Sequence, residues 1–150
     1  MNLSTYLSLL EKSESTLAES FRQVAEGHGH EPDVHFICQT LAKQCDEHQR
    51  ALQPIVRRYG QGDVDDEPER LHADGLSETR KGLLRDLQDL YLLASLVDIT
   101  WTMVKQAGQG LRDEELLDVV RACEEETEKQ LKWLSTRMKQ AAPQALLVAE

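Results

Sequence analysis

At 150 residues, with 40% hydrophobic and 29% charged residues, the chain has the size and composition of one soluble globular domain. Its formal net charge of −10, with basic residues interleaved among acids, excludes the cationic face that a nucleic-acid partner needs. Three cysteines, Cys38, Cys45 and Cys123, are odd in number and lack the spacing of a disulfide framework. Reduced, buried thiols of a cytoplasmic protein are the expectation. The opening MNLSTYLSLLEKSES has neither the basic flank nor the apolar run of a signal peptide. The apolar stretch LYLLASLVDI is too short and interrupted to span a bilayer, so no membrane partner is expected.

Apolar residues then recur in steps of three and four along nearly the whole chain. The first run is Leu3, Leu7, Leu10, Glu14, Leu17, Phe21, Val24, and predicts a helix over about 3–27. It stops at GHGHEP, where glycines end one helix and a proline opens the next. The second run, Val34, Ile37, Leu41, Cys45, His48, Leu52, Ile55, Tyr59, predicts a helix over about 32–59 that continues through Pro54. Residues 60–77, rich in Gly, Pro and acids, read as a loop. A third run, Leu83, Leu87, Leu90, Tyr91, Ala94, Asp98, Trp101, predicts a helix over about 78–107, capped by Ser77 and closed by Gly108 and Gly110. The fourth, with Asp113 as its cap, takes in Leu116, Val119, Val120, Cys123, Glu126, Gln130, Trp133 or Leu134, and Met138. It spans about 113–140, with Pro143 beyond its end.

Short turns make two antiparallel helix hairpins, and the long loop between them decides the topology. A plain up-down bundle would need only a few residues there. A loop of this length can return along the bundle and set helices two and three parallel. The expected fold is therefore an all-α, antiparallel four-helix bundle with a long crossover between helices two and three. A long acidic loop on an up-down bundle is the competing reading.

Each apolar stripe is interrupted near its middle. Glu14 stands on helix one, Cys45 and His48 on helix two, Asp98 on helix three, Cys123 and Glu126 on helix four. At about 1.5 Å per residue from the hairpin turns, all six fall near one level. A single acid on helices one and three, with an i, i+3 pair on helices two and four, resembles the ferritin-like diiron-carboxylate bundles. The resemblance implies a metal layer in which Glu14 and Asp98 fill the single-carboxylate places. Cys45-x-x-His48 and Cys123-x-x-Glu126 would fill the Glu-x-x-His places. The departures change the chemistry that it implies. Carboxylates and imidazoles suit iron or manganese, whereas two thiols, one imidazole and one carboxylate suit tetrahedral zinc. Buried cysteine is also what a bundle carries after a ligand glutamate is lost, because it packs as a hydrophobe.

Two functional expectations follow. One is a ferritin-like bundle with a lost or altered metal site that acts through self-assembly or partner binding. The other is a redox or metal-storage protein binding iron, manganese or zinc. Segment 90–101 is apolar on more faces than one core requires, which suggests the seam of a homodimer. Trp101, Trp133, Tyr91 and Phe21 read as core or interface anchors. No glycine-rich elbow or oriented nucleophile supports covalent catalysis. The turn GHGHEPDVH groups His28, His30 and His35 with Glu31 and Asp33. Such histidines can bind nickel, copper or zinc weakly, and the simpler reading is a turn that happens to carry them.

Overall fold

A computed structural model describes residues 2–60 and 82–148. Four long helices account for nearly all of them: α1 (Leu3–Gly27), α2 (Pro32–Tyr59), α3 (Leu83–Leu111) and α4 (Glu114–Pro143). The predicted loop over 60–77, the Ser77 cap and the start of helix three at 78 lie outside the described residues, apart from Gly60.

The helix ends follow local chemistry. Asn2 caps α1 by accepting the Thr5 N–H at 3.0 Å. Pro32 opens α2, where its missing N–H would have had no intrahelical partner. The helix then runs through Pro54 as expected. α3 does not stop near 107 but continues through Gly108 and Gly110 to Leu111. The turn comes one step later, at Arg112, whose φ of 54° lies in the left-handed region. Gly108 serves packing instead: a Cβ there would stand 3.1 Å from Leu117 Cδ2 and 3.3 Å from Leu116 Cδ2. α4 starts where predicted, with Asp113 accepting the Leu116 N–H at 3.2 Å. It ends later than predicted, taking in Pro143, and passes into a π-helical turn over Gln144–Val148.

α1 packs on α2 and on α3, and α4 packs on α3 and on α2. Polar contacts fix the directions. At one end Ser4 Oγ donates to the Tyr59 carbonyl at 3.0 Å, and both Tyr59 and Arg58 donate to Asp113. At the other end His28 meets Asp86, and Arg137 donates to Glu31 and Asp33. Hence α2 finishes at one end of the bundle and α3 begins at the opposite end, so the two run parallel. All four packed pairs are antiparallel. The 28-residue α2 is about 42 Å long, and the 22 chain steps from Gly60 to Gly82 can span about 70 Å. The single-crossover topology is thus the one observed.

The core is the meeting of the predicted stripes. Leu7, Leu10, Leu17 and Phe21 of α1 meet Val34, Leu41, Leu52 and Ile55 of α2. Leu87, Leu90, Ala94, Val97 and Trp101 of α3 meet Leu116, Val120, Cys123 and Leu134 of α4. On the outer side of α3, Leu92 (62% exposed), Ile99 (51%) and Met103 (44%) face solvent.

Asp113 gathers the end of the bundle where α2 finishes: it caps α4 and accepts from Tyr59 and Arg58 of α2. The Tyr59 bond, chief among these contacts, holds its carboxyl below the ordinary value. Asp113→Ala is expected to lower the unfolding free energy by about 1–2 kcal/mol in urea titration. Asp113→Asn, which keeps a capping oxygen, should lose less.

Candidate functional site: a polar layer at mid-bundle

Five of the six interior candidates come together, and two residues not anticipated in the layer, Trp101 and Gln130, join them. Glu14 is fully buried on α1, and its Oε1 accepts from two neighbouring helices. The His48 ring of α2 gives Nδ1 at 3.0 Å, and the Trp101 indole of α3 gives Nε1 at 2.9 Å. The other ring nitrogen of His48 stands 2.8 Å from Glu126 Oε1 on α4. The imidazole therefore bridges two carboxylates, edge-on to Trp101 with ring centres 6.3 Å apart. Cys45 and Cys123 are buried beside this bridge. Gln130 closes the layer, donating to Gln44 Oε1 at 3.1 Å and to Cys45 Sγ at 3.8 Å.

Carboxylate oxygens only accept, so two of them can both be satisfied only by the doubly protonated ring. Burial works against that charge on His48. The bonds and charges of Glu14, and after them those of Glu126, outweigh it, and the pKa is raised above 6.5. The thiols are pushed the other way from reactivity. Burial, then the neighbouring Glu14 carboxylate, raises Cys45 well above its ordinary value. Cys123 is raised by burial, then by Glu14 and Glu126. Cys38 is pushed up to about 12 by burial and then by Asp33. Burial thus keeps all three as thiols, which disfavours nucleophilic chemistry.

Asp98 stands apart. On α3 the inward positions are Leu87, Leu90, Ala94, Val97, Trp101 and Val104, and Asp98 is rotated about 100° from Val97. It is only half-buried, on the seam with α4. Partial burial, then Glu124 and Glu128, raises its pKa. Trp101 fills the inward place that Asp98 was expected to hold. Steps of three and four lead from Ala94 to Trp101 through either Val97 or Asp98, and in the structure Val97 takes the inward place. Gln130 was on the predicted stripe but was not recognised as part of the layer.

The resemblance to diiron bundles can be tested on these donors. Two carboxylates, one imidazole and two neutral thiols are too few oxygen and nitrogen ligands for two ions. Both nitrogens of His48 are already engaged, and α3 offers an indole N–H, which cannot ligate. Among the described residues no three His, Cys, Asp or Glu side chains are placed to hold a metal ion. A dinuclear carboxylate centre does not fit. One feature is left over: Glu14 Oε2 and Gln130 Oε1 are buried with no hydrogen-bond partner among the described residues.

The histidine turn sets its histidines in different surroundings. His28 is buried and its Nε2 lies 2.8 Å from Asp86 Oδ2, tying the end of α1 to the first turn of α3. His35 is occupied by the Ala25 carbonyl (2.7 Å) and the Gln39 amide (3.2 Å). The three histidines do not share one centre.

Fold and site together define an all-α four-helix bundle protein with a hydrogen-bonded polar layer across its middle. Comparison with protein-family models, with curated proteins and with solved structures gives no match.

The raised pKa of His48 sets a pH dependence. The folded state binds the proton more tightly than the unfolded chain, so the stabilisation is complete below about pH 6.5 and is lost as pH rises through the higher folded value. Unfolding free energy measured against pH should carry this decline in the wild type and lack it in His48→Gln. At pH 6, His48→Ala should lower stability by about 3–5 kcal/mol, because Glu14 is left buried without its ion partner.

Proposed function

We propose that this protein is a ferritin-like bundle in which a hydrogen-bonded core has replaced the metal layer, and that it acts by assembling with a second copy of itself. The observation that carries the first half is the occupancy of the layer. Both nitrogens of its one imidazole bond carboxylates, and an indole stands where helix three of a diiron bundle offers an acid. The parallel α2 and α3 support the ancestry.

The assembly half rests on α3. Between residues 90 and 104 its only charged residue is Asp98, in a chain that carries −10 overall. Leu92, Ile99 and Met103 lie on its exposed side at steps of seven and four, so they form one stripe about 16 Å long. Two acidic molecules can approach through an uncharged stripe without stacking like charges. An α3-to-α3 contact related by a two-fold axis would be self-complementary.

A second reading, a single soft ion that Glu14, Cys45 and His48 would bind only by leaving the arrangement described above, rests on one observation. The partnerless Oε2 of Glu14 lies in the layer that Cys45 and His48 share.

Two measurements separate these readings. Elemental analysis of tag-free protein, reconstituted with iron, manganese or zinc and then desalted, should find no iron or manganese retained. Two such ions per chain would refute the proposal, and one zinc that disappears in Cys45→Ser would establish the second reading. Sedimentation equilibrium should give a dimer that Ile99→Glu converts to monomer with its helical circular dichroism intact. A wild-type monomer at every concentration would remove the assembly half.

A further inference from the structure

The turn between α1 and α2 holds an arrangement that the mid-bundle layer does not use. Asp86 can only accept a hydrogen bond as a carboxylate, so His28 Nε2 is the donor across their 2.8 Å contact. In the neutral ring, a proton on Nε2 leaves Nδ1 of His28 with a lone pair. Of the two ring nitrogens, only Nε2 is hydrogen-bonded among the described residues, in a side chain that is 6% exposed. Two residues on, the exposed His30 places its ring 5.9 Å from the His28 ring, centre to centre, at 50°. Metal–nitrogen bonds of about 2.0–2.1 Å place two imidazoles on one ion with ring centres from about 4.5 Å apart at a right angle to about 6.4 Å in line, a range that takes in this pair. A carboxylate bonded to the far nitrogen of a histidine is the arrangement that orients metal-binding imidazoles and raises their basicity.

We infer that His28 and His30 form a site for one late divalent transition ion, with Asp86 as the positioning residue behind His28 and water completing the coordination. Imidazole ligands suit copper, nickel and zinc, and with only two of them Cu²⁺ is bound most tightly. Glu31 and Asp33 lie on the same turn, and each accepts from Arg137. His35 takes no part, because both its nitrogens are engaged. The site lies at the end of the bundle, near the level of Asp86, and is separate from the Glu14–His48–Glu126 layer.

The test is titration of the tag-free full chain with Cu²⁺, followed by calorimetry and by electron paramagnetic resonance. One ion per chain with nitrogen coordination is expected. His30→Ala, at an exposed position, should weaken binding at least about tenfold while leaving the helical signal unchanged. Asp86→Asn should weaken it by about 10–100-fold. His35→Ala and His48→Gln should bind as the wild type does. Wild-type affinity in His30→Ala, or no Cu²⁺ binding by the native chain, would overturn the site. An equal loss in His35→Ala would overturn the pairing, and an unchanged affinity in Asp86→Asn would remove Asp86 from it.

Discussion

The interaction on which the rest depends is the buried contact between Glu14 and His48. A carboxylate at the centre of a helical core loses its hydration, and the penalty is several kcal/mol unless charge and hydrogen bonds are returned to it. Here α2 returns a charged donor and α3 a neutral one to the same oxygen, Oε1. α4 then supplies Glu126, which takes the second proton of the ring. Glu14 and His48 together therefore tie all four helices to one level. Sliding any helix by one turn, about 5.4 Å, would break its bond to this layer and leave a charge or an N–H buried alone. An apolar core would penalise such a slip far less. The layer thus contributes register more than net stability.

Register in the middle is backed by polar contacts at both ends. Ser4, Arg58, Tyr59 and Asp113 gather α1, α2 and α4 at one end. His28 with Asp86, and Arg137 with Glu31 and Asp33, gather all four helices at the other. Exposed ion pairs of this kind add little individually, but His28–Asp86 and Arg137 are largely withdrawn from water. The two hairpins meet through α1 with α3 and through α2 with α4, which leaves α2 and α3 diagonal to each other. Three polar levels along about 40 Å of helix thus define which faces meet and at what height.

Much of this was legible in the sequence because it depends on period and length. The 3.6-residue stripes located four helices, and the length of the link between Tyr59 and Leu83 pointed to parallel central helices. Two kinds of information were not legible. Glycine in a sequence signals either a stop or a close approach, and only the nearness of Leu116 and Leu117 makes Gly108 the second. The face of a helix was read to within one residue, which was enough for Glu14 and His48 but not for α3. Asp98 drew attention as a charge in an apolar run, yet the position next to an inward Val97 is rotated by about 100°. An indole N–H was the donor the layer used, and hydrophobic patterning treats tryptophan as bulk. The His28–Asp86 pair joins residues 58 apart, and no local signal announces it.

The donor set is what separates this layer from a dinuclear carboxylate centre. Two multivalent ions need anionic ligands on every side to offset their charge, and they hold carboxylates together that would otherwise repel. In this layer thiols that burial keeps protonated stand at Cys45 and Cys123, and a neutral indole stands at Trp101. The two carboxylates that reach the layer, Glu14 and Glu126, are kept on opposite edges of one imidazole. The proton that makes this ring an imidazolium supplies the positive charge between them. On the ancestry we propose, losing acids and gaining that proton are one change. Each removed carboxylate lowers the charge that must be neutralised, until a single histidine suffices where a pair of metal ions was needed.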